Sequence, residues 1–327
     1  MSKYSDVKKI ILNKWPNAKI ISIKEFPEGY NNLPYDVKLG HGEYVIKILK
    51  VKGCEDYILK QKHIRALTHR KFKDFPISKI VKADFSGKVI NKPYAIVEKL
   101  EGKSLQTLYK KVNNKEELYE EIGELYGKLH SFKFDKFSEL DSSLKPVKEY
   151  KSWYLGRSKR VKKLFKKIEE RKLLSEKRLK VHKIFFEKNK YLLRKDIIPC
   201  LCHGDASHTN IIIKKVGNKY KVSGMIDFEF ARISEAAYDL FAGIRTFEKK
   251  YEYRESLVKG YTKWNKLPKQ WEKLIFLYLW IGHLNQLTKI KSMKWRNLSE
   301  EDTLNRKKSL RKKSILVLKK IEKELSY

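Results

Sequence analysis

The rhythm of hydrophobic and polar positions changes near residue 100. Between residues 18 and 100, short apolar runs recur with partial alternation: "KIISIKEF", "PYDVKL", "EYVIKILK" and "PYAIVEKL". β-Branched and aromatic residues at a period near two predict strands. The stretches at 39–43 ("LGHGE") and 85–88 ("FSGK") suit hairpin connections. One segment breaks the pattern. In "EDYILKQKHIRAL", the positions of Ile58, Leu59, Ile64 and Leu67 predict a helix with one buried stripe.

Beyond "LEGKSL" the period lengthens. Leu118, Ile122, Leu125, Leu129 and Phe132 recur at helical spacing, and helical patterns run to about residue 193. A short β insert follows, "NIIIKK" and "KVSGMIDF" about the turn "VGN". Helices then resume, from "EAAYDLFAGI" to the end of the chain. The expected fold is α+β in two lobes. A small β-rich lobe spans residues 1–100, a connector lies at about 98–102, and a large, mainly helical lobe spans 101–327. The longest apolar run, "LIFLYLWI", is too short to cross a bilayer and reads as a buried helix.

Composition sharpens the choice of partner. Of 327 residues, 75 are Lys or Arg against 39 Asp or Glu, a formal net charge of +36. Such a field draws anions, whether nucleotide phosphates, RNA or acidic membrane. No aromatic RNA-recognition motif or paired CxxC finger accompanies it. The opening "MSKYSDVKK" lacks the apolar stretch of a signal peptide, so a cytoplasmic protein is expected. Cys54, Cys200 and Cys202 form neither a disulfide framework nor a zinc pattern and read as small core residues.

Candidate chemistry centres on "CHGDASHTNIII". Asp205 and Asn210 lie five apart across a loop of small residues, and a second acid, Asp227, follows a strand in "GMIDFEF". Two carboxylates and an amide oxygen at strand ends suit a hard cation such as Mg²⁺. Phosphoryl transfer needs that set: an orienter for the attacking hydroxyl and oxygen ligands for the metal on the phosphates. The spacing HxDxxxxN followed by an Asp-Phe dipeptide is that of the protein-kinase catalytic loop, with Glu229 where the glycine of DFG would stand. No APE sequence follows.

Taken together, HGDxxxxN and IDFE resemble the aminoglycoside phosphotransferase and choline kinase family of small-molecule kinases, which have a protein-kinase-like fold. The resemblance runs from about residue 24 to 240. "EGYNNLPYDVKL" looks like the family's nucleotide-binding loop, with Gly29, Asn32, Tyr35 and Val37 in its positions. "EYVIKIL" puts Lys47 in the slot of the phosphate-pairing lysine, although a lysine on a strand can also simply snorkel. "YAIVEKLEGKSL" is similar to the strand and hinge that carry the purine, which places Glu98, Lys99 and Leu100 at the base. "LYGKLHSF" and "AAYDL" resemble two further family helices. The resemblance implies ATP, with GTP equally compatible, and Mg²⁺ held by Asn210 and Asp227. It makes Asp205 the base or hydroxyl orienter and Lys47 the phosphate holder, with His203 bracing the loop. His208 falls at a variable family position and reads as part of the loop's framework.

Two departures stand out. The acid that usually pairs with the lysine is missing: its slot falls at Lys60 or Gln61, with Glu55 and Asp56 a turn earlier. The GKS at 102–104 mimics a phosphate-binding loop, but Val97 stands where the first glycine is required, so that loop cannot form.

Charge also bears on the acceptor. Residues 141–200 hold 20 Lys and Arg against 7 Asp and Glu, and "RKKSLRKKSILVLKK" adds a basic tail. A polycationic aminoglycoside wants carboxylates, and choline wants aromatic faces and acids. Trp153, Tyr154, Trp264, Trp271, Trp280 and Trp295 are mostly accounted for by core packing. The expected acceptor is a neutral or anionic small-molecule hydroxyl compound. An RNA hydroxyl is the alternative, and a non-catalytic nucleotide- or polyanion-binding protein is a third reading. Nothing in the sequence marks an oligomeric state.

Overall fold

The computed structural model describes residues 4–26, 32–50, 53, 55–150, 152–193, 197–244, 253–267, 269–293 and 298–325. Its first part is one antiparallel sheet with a helix on each face. Helix α1 (Ser5–Lys14) is followed by β1 (Ile20–Glu25), β2 (Asn32–Leu39) and β3 (Gly42–Leu49). Then come α2 (Glu55–Lys71), β4 (Ile80–Asp84) and β5 (Tyr94–Glu98). The strand order is β1-β2-β3-β5-β4. Alternation sorts the side chains of this sheet. Ile46, Ile48, Tyr94 and Ile96 pack with Val7, Ile10 and Ile11 of α1. Leu49, Ala95 and Val97 turn to the other face, against Ile58 of α2. Lys47, between Ile46 and Ile48, therefore projects from the α2 side.

The second part is mainly helical. It contains β6 (Lys103–Ser104), α3 (Leu105–Leu108), α4 (Lys115–His130), β7 (Phe137–Leu140), β8 (Pro146–Tyr150), α5 (Trp153–Glu170) and α6 (Glu176–Asn189). After these come β9 (Cys200–Cys202), β10 (Ile211–Val216), β11 (Lys219–Met225), β12 (Arg232–Ser234) and α7 (Ala237–Ile244). Three helices close the chain: α8 (Arg254–Thr262), α9 (Trp271–Lys289) and α10 (Glu300–Glu324). A single large apolar cluster joins α4, α5, α6, α9 and α10, with Tyr126, Phe186 and Trp280 completely buried. No helix among the described residues is long and apolar enough to cross a membrane.

Two small sheets build the site, ordered β11-β10-β6 and β8-β7-β12-β9. Gly102 shows why the chain can leave the hinge where it does. Its φ is +109°, and a Cβ there would lie 2.0 Å from the carbonyl oxygen of Ile213 on β10. Only glycine permits that crossing. The adjoining Lys103 and Ser104 form β6, and Ser104 caps α3 by accepting from the Thr107 amide at 3.3 Å. The GKS sequence is thus a strand and a helix cap.

The expected strands, the α2 helix and the lobe order match the structure. Not anticipated were α1, β4, the β7–β8 hairpin inside the stretch read as helical, and the short strands β6, β9 and β12. Hairpin strand β8 is almost wholly exposed, so it shows no alternation; its pairing with β7 sets its conformation.

Candidate active site

The "CHGDASHTNIII" stretch is strand β9, a loop, and the start of β10. Gly204 opens the loop with φ +82°, and a Cβ there would meet the Phe230 carbonyl oxygen at 2.1 Å. Asp205 follows, half-buried. Asn210 closes the loop: its Nδ2 donates to the Asp205 carbonyl at 2.8 Å and to Asp205 Oδ2 at 3.2 Å. That fixes the amide, leaving Asn210 Oδ1 directed away from Asp205.

Strand pairing brings Asp227 alongside. Ile211 pairs with Met225 in the β10–β11 register, and the Ile226 amide donates to the Asn210 carbonyl at 3.0 Å. The next residue, Asp227, adopts the left-handed region (φ 69°, ψ 59°), a conformation that costs free energy for a non-glycine residue. Its carboxylate makes no ion pair or hydrogen bond with a described residue. The β10–β11 pairing thus brings the backbones of Asn210 and Asp227 to neighbouring strand ends, and an amide oxygen with a carboxylate is a donor set that fits Mg²⁺.

Lys47, Gln61 and Asp227 line one recess. Lys47 has no acidic partner among the described residues. Gln61 occupies the position that faces it, with Nε2 donating to the Ser78 carbonyl at 3.4 Å. Its neighbour Lys60 instead reaches the Glu229 carbonyl at 3.4 Å, and burial lowers the pKa of that lysine. Glu55 caps its own helix start, accepting from the Gly53 amide. The missing acid of the sequence is therefore replaced by an amide.

This recess opens into a cavity of about 530 Å³ between the two parts. Asn32, Val45 and Lys47 line it from the first sheet, and Ile212, Ile226 and Asp227 from the second part. Glu98, Lys99 and Leu100 line its back. The Lys99 side chain is spoken for, with Nζ 2.8 Å from Asp36 and 2.9 Å from Glu43. The Lys99 amide is paired with the Glu43 carbonyl at 3.1 Å. Leu100 makes no backbone hydrogen bond to a described residue, so its N–H and C=O remain for a ligand. Gly29, expected in the nucleotide loop, lies outside the described residues.

The loop is held from behind by α4 and α7. Asp239 accepts from the His203 amide at 2.5 Å, the Gly204 amide at 2.9 Å and His130 Nε2 at 3.2 Å. The Tyr126 hydroxyl donates to the Ala206 carbonyl at 2.8 Å, and Tyr119 Oη lies 3.1 Å from His208 Nε2. His203 is wedged between Phe228, at 4.3 Å between ring centroids, and the Ile226 carbonyl. Both loop histidines are thus braces. Cys200 and Cys202 are completely buried. The nearby His130, Cys202 and Asp239 bring three donor atoms within 4.8 Å of one another. Burial pushes the Cys202 thiol well up, and Asp239 is spent on hydrogen bonds, so this group reads as bracing.

Burial opposes a charge on His130, but Cys202 and Asp239 beside it outweigh burial and hold its pKa at about 9. Burial likewise opposes the charge on Asp239, and His130 carries its pKa below the usual carboxylate value. The His130 value in the fold exceeds the ordinary 6.5. Its contribution is therefore complete below pH 6.5 and is lost as the pH rises through about 9. Thermal unfolding should show a loss on the order of 3 kcal/mol across that window. His130→Asn should flatten the profile; an unchanged slope would show that His130 is not the titrating group.

A two-lobed, kinase-like phosphotransferase architecture is what this fold and cleft define. A profile of the phosphotransferase enzyme family matches residues 22–274, and the chain belongs to that family. No curated protein matches the sequence. Among solved structures, the GDP complex of aminoglycoside 2'-phosphotransferase-IIIa superposes with a TM-score of 0.71 at 15% identity, covering 99% of each chain. Aminoglycoside phosphotransferase APH(4)-Ia gives 0.65 at 13% identity, over 97% of this chain and 99% of that one. A putative fructosamine-3-kinase from Thermobifida fusca gives 0.61 at 13% identity, over 95% and 99%.

Proposed function

We propose that this protein is a kinase transferring the γ-phosphoryl group of ATP or GTP to a hydroxyl of a small neutral or anionic metabolite. The observation that carries the reading is the Asp205–Asn210–Asp227 arrangement. The Asn210 amide holds the Asp205 carboxylate, strand pairing brings Asn210 next to the turn that carries Asp227, and the Asp227 carboxylate lines a nucleotide-sized cleft. Residues 1–100 then form the nucleotide-binding lobe, and 101–327 carry the catalytic loop and the acceptor site. The purine lies against Leu100, and Lys47 meets the phosphates.

In the reaction, the acceptor oxygen bonds to the γ-phosphorus as the bond to the β,γ-bridging oxygen breaks. The nucleoside diphosphate departs with that electron pair. Asp205 orients the hydroxyl and takes its proton, while Asn210 Nδ2 keeps the Asp205 carboxylate in place. Mg²⁺ on Asn210 and Asp227 would supply neutralisation of phosphate charge. Solved neighbours bear on the nucleotide and acceptor classes: one is a GDP complex, and another holds AMP-PNP and hygromycin B.

The test is nucleotide turnover across a panel of hydroxyl acceptors, with magnesium varied. Asp227→Ala should raise the magnesium requirement at least tenfold and depress turnover by roughly a hundredfold. An unchanged magnesium dependence would remove Asp227 from the metal site.

A further inference from the structure

A second concavity, of about 690 Å³, lies between α5, the β7–β8 hairpin and the end of α9. Among the described residues, eight cationic side chains line it against two carboxylates, Glu139 and Glu149. Both acids are already engaged: Glu139 lies 3.6 Å from Arg232 and Glu149 2.9 Å from Lys136. Helix α5 supplies the wall through one stripe. Gly156, Arg160, Lys163 and Lys167 recur at intervals of three and four, while Val161, Leu164 and Phe165 face the core.

Arg157 is the unusual member. It is only 6% exposed, stacked over the Trp153 ring at 3.9 Å and near the Tyr238 ring at 4.6 Å. Its Nε has no hydrogen-bond partner, and it makes no ion pair with a described residue. A buried guanidinium is costly unless an anion completes it. One oxygen of Glu235, Oε2, accepts from Trp153 Nε1 at 3.0 Å and from the Tyr278 hydroxyl. Burial lowers the Arg157 pKa, as expected for a cation lacking its counter-charge.

The groove adjoins the catalytic loop. Arg232, at its edge, donates from Nε to the Phe230 carbonyl at 3.1 Å. That same oxygen sits against Gly204, the residue before Asp205. A molecule seated at Arg232 therefore lies at the edge of the groove where the Phe230 carbonyl meets Gly204, the residue before Asp205.

Resting on the kinase reading above, we infer that the acceptor already carries a phosphate or comparable dianionic group, and that this groove binds it. Arg157 and Arg160 bind the anion and Lys163 adds charge, while the acceptor hydroxyl extends past Phe230 to Asp205. Guanidinium groups suit phosphate through paired N–H donors. The groove is a concavity of the size that takes a metabolite.

The test is a calorimetric titration with the nucleotide cleft filled by ADP and magnesium. The probes are ribose 5-phosphate and glucose 6-phosphate against the two unphosphorylated sugars. Wild-type protein should prefer the phosphates by roughly tenfold or more. The preference should vanish in Arg160→Glu/Lys163→Glu, both exposed positions, and in Arg157→Gln, with circular dichroism checking the fold. No preference, or one that survives the variants, overturns the inference. If neither ADP nor GDP binds wild-type protein, the kinase reading falls, while a phosphate preference would still stand. A short single-stranded RNA that displaces the sugar phosphates, with steep salt dependence lost in the same variants, would overturn the small-molecule acceptor in favour of a polymer.

Discussion

Asp205→Asn should lower acceptor-dependent turnover by roughly a thousandfold, within the range for a positioned acid–base group, and leave ADP binding almost unchanged. The substitution is close to isosteric. Asparagine at 205 still offers an oxygen to Asn210 Nδ2, and the Asp205 carbonyl that accepts the second bond is untouched. What disappears is the negative charge facing the acceptor and the capacity to take a proton. The Asp205 side chain does not line the cavity below the hinge, so the nucleotide loses no contact there. Initial rates of nucleoside diphosphate release, with calorimetry for ADP, separate the two effects. Turnover within tenfold of wild type would end the assignment of Asp205.

Asp239→Ala should be the most damaging single change to stability. The carboxylate is completely buried and receives two backbone amides and His130. Its removal leaves two orphaned N–H donors and a buried imidazole stripped of its partner, a loss of about 3–5 kcal/mol. The unfolding midpoint should fall by on the order of 10 °C. A double-mutant cycle with His130→Ala locates the cause. The pair should cost clearly less than the sum of the singles; strict additivity would show that the two side chains act independently.

Where side chains alternate or recur at helical spacing, the architecture was readable: Ile46, Ile48 and Leu49 sort across the sheet as their order requires, and α2 buries Ile58 and Ile64. That Asn210 and Asp227 would come together was readable from spacing, because the β10–β11 hairpin pairs Ile211 with Met225. The supports of the loop were not. Tyr119, Tyr126 and His130 lie on one stripe of α4 and look like ordinary amphipathic helix residues, since their rings are core and only their polar tips reach the loop. Helix α1 was missed because its apolar signal is short, Val7 and the run Ile10, Ile11 and Leu12 between lysines, of which Leu12 stays exposed. Likewise, "RSKRVKKLFKK" suggested cations on several faces. Only the packed helix reveals that Arg157 is buried and that Arg160, Lys163 and Lys167 share one wall.

That wall has a bearing on how such an enzyme can change over time. The carboxylates and amide of the catalytic loop hang from β9, β10 and β11, whereas the cations of the groove stand mostly on one exposed face of α5. Substitutions along that face leave the loop, its strands and its buried braces undisturbed. If the groove admits the acceptor as proposed, selection can retune the kind of molecule taken, one surface position at a time, without altering the loop.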